Sequence, residues 1–460
     1  MESVGRFVVK LCEMSQKLDF ADMSRQLHPM FRYQPLPAEL FTQNRQRLYA
    51  QLPPRSLVIL NANDVLPTNA DGSMGFVQNS DLFYLSGIDQ EETILMLFPD
   101  APDPKQRELL FVRETNEHIA VWEGEKLTKQ QAKERGGIER VHWLTDFETN
   151  FRMLMCQAEH VYLNSNEHPR ATIPTETREM RFTQRCLREY PLHDYQRLAP
   201  IMHGLRCVKS AHEITALNEA IRITGDGFGR LLKFVRPGVQ EFEVEAELSH
   251  EFIRQRARGF AYTPIIASGA NACVLHYITN HCQCQDGELL LLDVAANYGN
   301  YNADLTRTIP VNGRFTPRQR QVYDAVLRVF RQCCQMLKPG VIIREYQENV
   351  GRLMEKELLG LGLLTQEDID RQDPDKPAYK KYFPHGTSHH LGIDVHDVGH
   401  TWKPVQAGMV FTVEPGIYIR EEKLGVRLEN NILIGENGNT DLMAHIPIEA
   451  DEIEALMQRR

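Results

Sequence analysis

The sequence lacks a disulfide framework, a long hydrophobic run and an excess of positive charge, and each absence excludes a class of protein. Its nine cysteines are scattered between Cys12 and Cys334 without a regular spacing, which is typical of reduced thiols in the cytoplasm and not of a secreted disulfide scaffold. No apolar stretch reaches membrane-spanning length, and the first residues lack the apolar region and cleavage site of a secretory signal. A net charge of -10 disfavours binding to the phosphates of nucleic acid. We therefore expect a cytoplasmic protein without a membrane or nucleic-acid partner.

The composition is that of a globular chain with ordinary cores. Hydrophobic residues make up 42% and charged residues 25% of the 460 positions, and this length predicts two domains. The pattern of apolar and polar residues changes just before Ser210, which has the spacing from Glu213 of a capping box at the start of a new helix. Upstream of that point, apolar runs alternate with polar helical stretches, which indicates a smaller α/β domain. The predicted strands are SLVILNA, DLFYLSG, TILMLF and ELLFV, and a predicted helix is KLTKQQAKERGG.

The downstream half contains a repeated order of predicted elements. A predicted helix that begins at Ser210 stops at an Arg-Pro-Gly-Val sequence, and another that begins at Thr316 stops at Lys-Pro-Gly-Val. A second helix and then a strand-rich stretch follow each stop, the first over residues 262–311 and the second over 385–448. Because the order helix, helix, strands occurs twice, we expect an internal pseudo-repeat.

An aspartate pair lies in the first strand-rich stretch. Asp293 ends an apolar run, a turn-forming Asn-Tyr-Gly-Asn follows, and the chain returns through Asp304. A hairpin centred between Tyr298 and Gly299 places the two aspartates opposite each other. Facing carboxylates, with Cβ atoms about 5 Å apart, repel each other and require a positive charge between them.

The second stretch contains an equivalent glutamate pair. Glu414 ends an apolar run, and a turn centred between Glu421 and Glu422 places Glu429 opposite it. Either pair alone fits ordinary turn acids, but two pairs at corresponding places in the two halves favour a common cavity. Four carboxylates there stay ionised only with cations, and two divalent ions about 3.5–4 Å apart meet that need.

Histidines cluster in the segment FPHGTSHHLGIDVHDVGH, which contains His385, His389, His390 and His396. A polar surface loop is the alternative, but the apolar residues within the segment favour the wall of a packed cavity. A carboxylate-rich site with a single imidazole suits manganese, or cobalt or iron in competition, better than a structural zinc with thiolate ligands.

Five sequence blocks of the downstream half resemble the metal-dependent aminopeptidase P and prolidase family from about Leu205 to Ile434. They are SGANACVLHY, LLLLDVAANYGNYNADLTRTIPVNGRFTPRQRQVYDAVL, FPHGTSHHLGIDVHDVG, FTVEPGIYI and GVRLEN. Upstream, TNADGSMGFVQNSDLFYLSG resembles the N-terminal domain of aminopeptidase P, although Val77 stands where that family usually has arginine. The resemblance implies an N-terminal α/β domain over residues 1–204, with residues 1–30 an unmatched extension. It implies a catalytic domain of pita-bread fold, an α/β (α+β) architecture with an internal pseudo-repeat, over residues 205–460.

The resemblance also assigns roles to individual residues. The implied metal ligands are Asp293, Asp304, His389, Glu414 and Glu429, the same carboxylates that the hairpins bring together. The adjacent His390 is not a ligand in that pattern. Glu414 is expected to shuttle a proton as well, and the implied substrate-binding histidines are His276, His385 and His396. Arg427 and Tyr418 match residues that support the ligands.

The function implied is that of a metallopeptidase with two divalent metal ions, manganese first and cobalt, iron or zinc as alternatives. It releases the first residue from peptides with proline in the second position, a bond that carries no N–H. A prolidase, which cleaves only Xaa-Pro dipeptides, is the alternative with the same ligands. A metal-free creatinase-like hydrolase or a peptide-binding module is the alternative of another class, and such proteins lose ligands that are all present here. We expect proline-containing peptides as partners and a homo-oligomer, a dimer or tetramer.

Overall fold

A computed structural model describes residues 32–459 and contains two compact units. Residues 35–206 form one unit, and the other comprises residues 207–459 together with residues 32–34. The predicted N-terminal extension, including Cys12, lies outside the described range. All cysteines within that range are free thiols, and none of its helices has the length and apolar character needed to cross a membrane.

The unit of residues 35–206 is built on one mixed six-stranded sheet. Its strands are β1 Ser56–Asn61, β2 Ile94–Leu97, β3 Glu108–Val112, β4 Arg140–Trp143, β5 His160–Leu163 and β6 Asp194–Arg197. Its helices are α1 Ala38–Tyr49, α2 Ser80–Ser86, α3 Glu117–Trp122, α4 Lys129–Gly136, α5 Phe147–Met155, α6 Arg178–Glu189 and α7 Ala199–Cys207. The strand order is β4-β3-β2-β1-β5-β6. The central strands β1 and β2 are buried along their whole length, which explains why they are continuous apolar runs instead of alternating ones.

One of the predicted strands in this unit is wrong. The sequences SLVILN, ILML and ELLFV form strands, and KQQAKERG forms helix α4, as expected. The run DLFYLSG instead belongs to helix α2. The side chain of Asn79 caps this helix by accepting hydrogen bonds from the backbone N–H groups of Asp81 and Leu82, and Gly87 ends it in a left-handed conformation. Periodicity cannot distinguish a short, fully buried helix from a strand.

Two long helix pairs form the frame of the other unit. Its helices are α8 Ala211–Phe234, α9 Glu241–Arg254, α10 Pro317–Met336, α11 Ile343–Gly360, α12 Gln366–Asp370 and α13 Ala450–Gln458. The predicted capping box of Ser210 and Glu213 opens α8. Thr316 and Gln319 form an equivalent box at the start of α10.

Short strands follow each helix pair. They are β7 Gly259–Phe260, β8 Ile265–Ser268, β9 Leu289–Asp293, β10 Ala296–Tyr298, β11 Tyr301–Asn302, β12 Thr306–Pro310, β13 Val410–Val413, β14 Gly416–Ile419, β15 Leu424–Arg427, β16 Asn430–Leu433 and β17 Thr440–Asp441. Strands β7–β12 follow α8 and α9, and β13–β17 follow α10–α12, so the predicted order helix, helix, strands occurs twice. One large core joins the apolar faces of α8 and α10 to these strands.

The two hairpin predictions have different outcomes. In the second half, Gly416 pairs with Arg427 and Val413 with Asn430, which is the predicted register. In the first half, Tyr298 pairs with Tyr301, so the turn is centred one residue later than expected. Its two turn residues, Gly299 and Asn300, both have positive φ values, 58° and 65°, as a type I′ turn requires.

Candidate metal centre

The corrected register still brings the two aspartates to one face of the first hairpin. Asp293 at the end of β9 pairs with Thr306 of β12, and Asp304 precedes Thr306 by two positions, so it lies on the same face of its chain. The two carboxylates are therefore diagonal neighbours and not directly opposed. The hydroxyl of Tyr262 lies 2.6 Å from Oδ1 of Asp293 and 2.7 Å from Oδ1 of Asp304.

Backbone contacts join this hairpin to the one in the second half. A β-bridge pairs Thr306 with Glu429, and the backbone N–H of Glu429 donates to the carbonyl of Thr306 at 3.0 Å. The side chain of Asn431 holds Asp304 from both sides, since it accepts from its backbone N–H at 3.1 Å and donates to its carbonyl at 2.7 Å. The site thus forms where the two echoing halves meet.

His389 points at these carboxylates because its segment runs beside β13. Its backbone N–H donates to the Thr412 hydroxyl at 3.1 Å, and its carbonyl accepts from the Thr412 N–H at 3.0 Å. Its Nδ1 lies 2.9 Å from the carbonyl of His390, so the ring proton resides on Nδ1. Nε2 faces the carboxylates, 3.4 Å from Oδ2 of Asp304 and 3.5 Å from Oε1 of Glu414, and is the ring nitrogen placed to bind a metal.

The neighbouring His390 faces away from the carboxylates. Its ring packs against Phe411, with 4.2 Å between centroids, and burial lowers its pKa to about 3. It is therefore a neutral core residue near neutral pH. The geometry separates the two adjacent histidines in the way the sequence pattern implies.

Arg427, in the second half, forms an ion pair and hydrogen bonds with residues of both halves. Its guanidinium donates to Oδ2 of Asp293 at 2.6 Å, to the Tyr418 hydroxyl at 2.9 Å and to the Thr306 hydroxyl at 3.2 Å. The Thr306 hydroxyl in turn donates to Oε2 of Glu429 at 2.6 Å. Arg427 and Tyr418, both predicted as supporting residues, thus belong to one network with two of the carboxylates.

The three predicted substrate histidines lie around the same site. Nε2 of His385 lies 2.8 Å from the Tyr418 hydroxyl, and its Nδ1 lies 3.7 Å from Oε2 of Glu414. Burial lowers the pKa of His385 to about 3, with smaller contributions from Arg427 and from the exposed His276 nearby. The ring of His396 lies edge-on to that of His389, with 4.5 Å between centroids.

The electrostatics of the cluster fit a bound cation. Burial, together with the neighbouring carboxylates, raises the pKa of Asp304, Glu414 and Glu429 well above the ordinary carboxyl value. Glu429 is only 2% exposed, and its Oε1 finds no hydrogen-bond partner among residues 32–459. Ligand atoms of Asp304, His389 and Glu429 lie within 4.8 Å of one another. A buried carboxylate oxygen without a hydrogen-bond partner, close to an imidazole nitrogen, suits a divalent metal ion.

Sequence reasoning missed two residues that contact the carboxylates, Tyr262 and Thr306. Thr306 carried a usable signal, because it is two positions after Asp304 and must share its face. Tyr262 carried none, because its contact depends on how the segment after β7 packs against β9.

The chain is similar to known proteins over most of its length. Residues 215–436 match the model of metallopeptidase family M24, and residues 41–162 match that of the aminopeptidase P N-terminal domain. The chain is 34% identical over 433 residues to the Xaa-Pro aminopeptidase of Escherichia coli strain K12, which covers 91% of this chain and 97% of that protein. The structure of E. coli aminopeptidase P with the inhibitor Pro-Leu has a TM-score of 0.83 at 33% identity and covers 93% of this chain and 99% of that one. Proline aminopeptidase P II from Yersinia pestis has a TM-score of 0.82 at 33% identity, with coverages of 92% and 100%.

A fold of this kind with a buried carboxylate and histidine cluster defines a metal-dependent hydrolase of peptides. The chain belongs to metallopeptidase family M24, in its aminopeptidase P group, whose N-terminal domain it also contains. The predicted resemblance and fold class are thereby confirmed, and the need for divalent metal ions follows from the family.

Proposed function

We propose that this chain is a Xaa-Pro aminopeptidase, which releases the first residue from peptides with proline in the second position. The observation that carries the proposal is the cluster of Asp304, Glu414 and Glu429, whose pKa values are raised by burial and by neighbouring carboxylates, with Nε2 of His389 facing Asp304 and Glu414. The named relatives are Xaa-Pro aminopeptidases. The alternative is a prolidase, which cleaves only Xaa-Pro dipeptides and is distinguished by its lack of activity on tripeptides.

The proposed metal site holds two divalent ions, with manganese as the first candidate. The proposed ligands are Asp293, Asp304, His389, Glu414 and Glu429. When bound, the ions supply a water of lowered pKa as the nucleophile and polarise the carbonyl of the bond that is cleaved. Arg427 and the Thr306 hydroxyl hold Asp293 and Glu429 in place by the hydrogen bonds described above.

Glu414 is the proposed proton carrier. It takes a proton from the attacking water and delivers it to the proline nitrogen, because an amide nitrogen must gain a proton to leave as a neutral amine. Without bound metal, burial and the nearby Glu429 raise its pKa, and a carboxylate within reach of the reacting bond can carry a proton between two steps.

The proposed role of His276, His385 and His396 is to bind the peptide carbonyl and the negative charge that develops on its oxygen. His276 and His396 are exposed and His385 is half-buried, so a peptide can reach all three rings, and an imidazole N–H can donate to the carbonyl oxygen. His385 donates one ring N–H to the Gly386 carbonyl at 2.8 Å and accepts from Tyr418, so substrate contact at this residue exchanges one of these bonds.

We assign residues 1–204 to the N-terminal domain and residues 205–460 to the catalytic domain, and we propose a dimer or tetramer of identical chains.

Peptide length and the second residue provide the test of this function. With metal-loaded protein, Arg-Pro-Pro is expected to be cleaved at least as efficiently as the dipeptide Ala-Pro. Replacing the second residue, as in Arg-Ala-Pro, is expected to lower kcat/KM on the order of 100-fold, because a Xaa-Pro aminopeptidase is expected to have a pocket that fits the pyrrolidine ring. The readout is the released first amino acid, measured by chromatography at matched peptide concentrations. Turnover of dipeptides alone would identify a prolidase and would leave the metal site unaffected.

A further inference from the structure

The proposed substrate histidine His276 lies on a loop with little regular structure. The loop runs from the end of β8 through the short 3-10 turn Gly269–Cys273 to residue 282. His276 itself is exposed, whereas the next residue, Tyr277, is buried. Since a catalytic side chain on a loop must be held to within a fraction of an ångström, the contacts that fix this loop determine where the imidazole lies.

One buried carboxylate receives hydrogen bonds from points all along that loop. Glu241, the first residue of α9, is 0% exposed. Its Oε1 accepts from the N–H and the hydroxyl of Ser268 at 2.8 and 2.7 Å and from Nδ2 of Asn271 at 3.3 Å. Its Oε2 accepts from the Tyr277 hydroxyl at 2.7 Å and from the N–H of Cys282 at 2.9 Å.

The far end of the loop is held in both directions. While the N–H of Cys282 donates to the Glu241 carboxylate, the backbone N–H of Glu241 donates to the carbonyl of Cys282 at 2.9 Å. The N–H of Cys284 also donates to the carbonyl of Val239 at 2.9 Å. Carboxylate acceptors form the stronger class of hydrogen bond, and the N-terminus of α9 favours a negative charge at this position.

The loop is attached to the metal centre on its other side. Ala272, Cys273 and Tyr277 pack in one small apolar cluster with Leu291 of β9 and with Tyr418. Tyr418 is the residue whose hydroxyl contacts His385 and Arg427. A displacement of Tyr277 therefore moves the backbone of His276 relative to the site.

The second half contains a comparable contact. The Oε1 atom of Gln347, on α11, accepts from the backbone N–H of Thr387 at 2.8 Å, between His385 and His389. In each half, a polar side chain from the first turns of the second helix holds the loop that carries the histidines. Only the contact in the first half uses a fully buried carboxylate.

We propose that Glu241 is a positioning residue for catalysis, which fixes His276 at the metal centre by tying both ends and the middle of its loop to the start of α9. It touches neither substrate nor metal and acts through His276. This inference rests on the proposed function for the role of His276, but the anchoring itself does not.

The decisive experiment is a double-mutant cycle of Glu241→Gln with His276→Ala in the metal-loaded protein. Glu241→Gln keeps the size of the side chain but replaces one acceptor with a donor that faces N–H and O–H groups. It is expected to lower kcat/KM for Arg-Pro-Pro by about 10- to 100-fold with unchanged metal content. In the His276→Ala background, the same change is expected to cost less than about threefold, because coupled residues are not additive. Equal losses in both backgrounds, or a loss of metal, would overturn the proposal.

A matched control and a milder variant accompany the cycle. Glu247→Gln changes a glutamate of the same helix that pairs with Arg230 and is expected to retain full activity. Tyr277→Phe removes only the hydroxyl next to His276. It is expected to give the same non-additive pattern with a smaller loss, which keeps the test decisive if Glu241→Gln does not fold.

Hydrogen exchange separates the anchor from the proposed function. Backbone amides of residues 269–281 are expected to exchange faster in Glu241→Gln than in wild type or Glu247→Gln. Unchanged exchange would overturn the anchoring. If the wild-type protein cleaves no Xaa-Pro peptide, the proposed function fails, and this measurement still decides whether Glu241 holds the loop.

Discussion

Glu429→Gln is expected to abolish nearly all peptide hydrolysis and to weaken metal binding by at least about 100-fold. Residues that only orient a ligand change metal affinity by about 10- to 100-fold, and Glu429 is proposed to be a ligand itself. A neutral amide also coordinates a divalent ion more weakly than a carboxylate does. The measurements are metal affinity by titration calorimetry and kcat/KM for an Xaa-Pro tripeptide.

The stability of the metal-free variant provides the control for this prediction. Burial and the neighbouring Asp304 and Asp293 raise the pKa of Glu429. The folded protein, once a chelator has removed its metal, therefore binds a proton at Glu429 more tightly than the unfolded chain does. That contribution to stability is complete below the ordinary carboxyl pKa of about 4 and is lost as the pH rises through the raised value. Metal-free Glu429→Gln is thus expected to have a Tm equal to or above that of metal-free wild type. The difference between the two Tm values is expected to widen as the pH rises. A variant that is unfolded without metal would contradict this account.

His389→Ala and His390→Ala are expected to separate metal binding from core packing. Removing His389 deletes the imidazole whose Nε2 lies near Asp304 and Glu414, so metal affinity is expected to fall by at least about 100-fold. Removing His390 leaves a cavity beside Phe411, which costs about 2 kcal/mol or more of unfolding free energy but leaves the metal content near that of wild type.

Elemental analysis and denaturant unfolding of the two purified variants measure this contrast. The backbone carbonyl of His390, which orients His389, is retained in His390→Ala. Equal losses of metal in the two variants would show that the choice between the adjacent histidines is wrong.

The two hairpins show what a sequence can and cannot specify about this site. The sequence predicts the turn between Glu414 and Glu429 correctly, because apolar runs of similar length flank it on both sides. In the first hairpin, Gly299 and Asn300 form the turn together, and the sequence Asn-Tyr-Gly-Asn allows either centre. The predicted register pairs Asp293 with Asp304, whereas the structure pairs it with Thr306. Both registers leave the two aspartates on one face of the hairpin, so the prediction that they lie close together does not depend on which register is right.

Other contacts depend on long-range packing and were not predictable. The shared hydroxyl of Tyr262 and the buried carboxylate of Glu241 gain their roles only when distant segments pack on β8 and β9. The sequence predicts a strand in place of helix α2, because five consecutive buried residues have no periodicity of their own. Motif order, in contrast, identified the family, because its blocks extend over most of the catalytic half.

The central claim, a dinuclear metal centre built from the carboxylates of two echoing hairpins, is tested most directly by a metal titration. Protein freed of metal with a chelator is titrated with manganese. The metal retained after desalting is measured by elemental analysis, and the hydrolysis of Arg-Pro-Pro is measured on the same samples. We predict that activity reaches its plateau as occupancy approaches about two ions per chain, because four clustered carboxylates require that compensation. A folded protein that cleaves the peptide fully while carrying no metal would contradict the account.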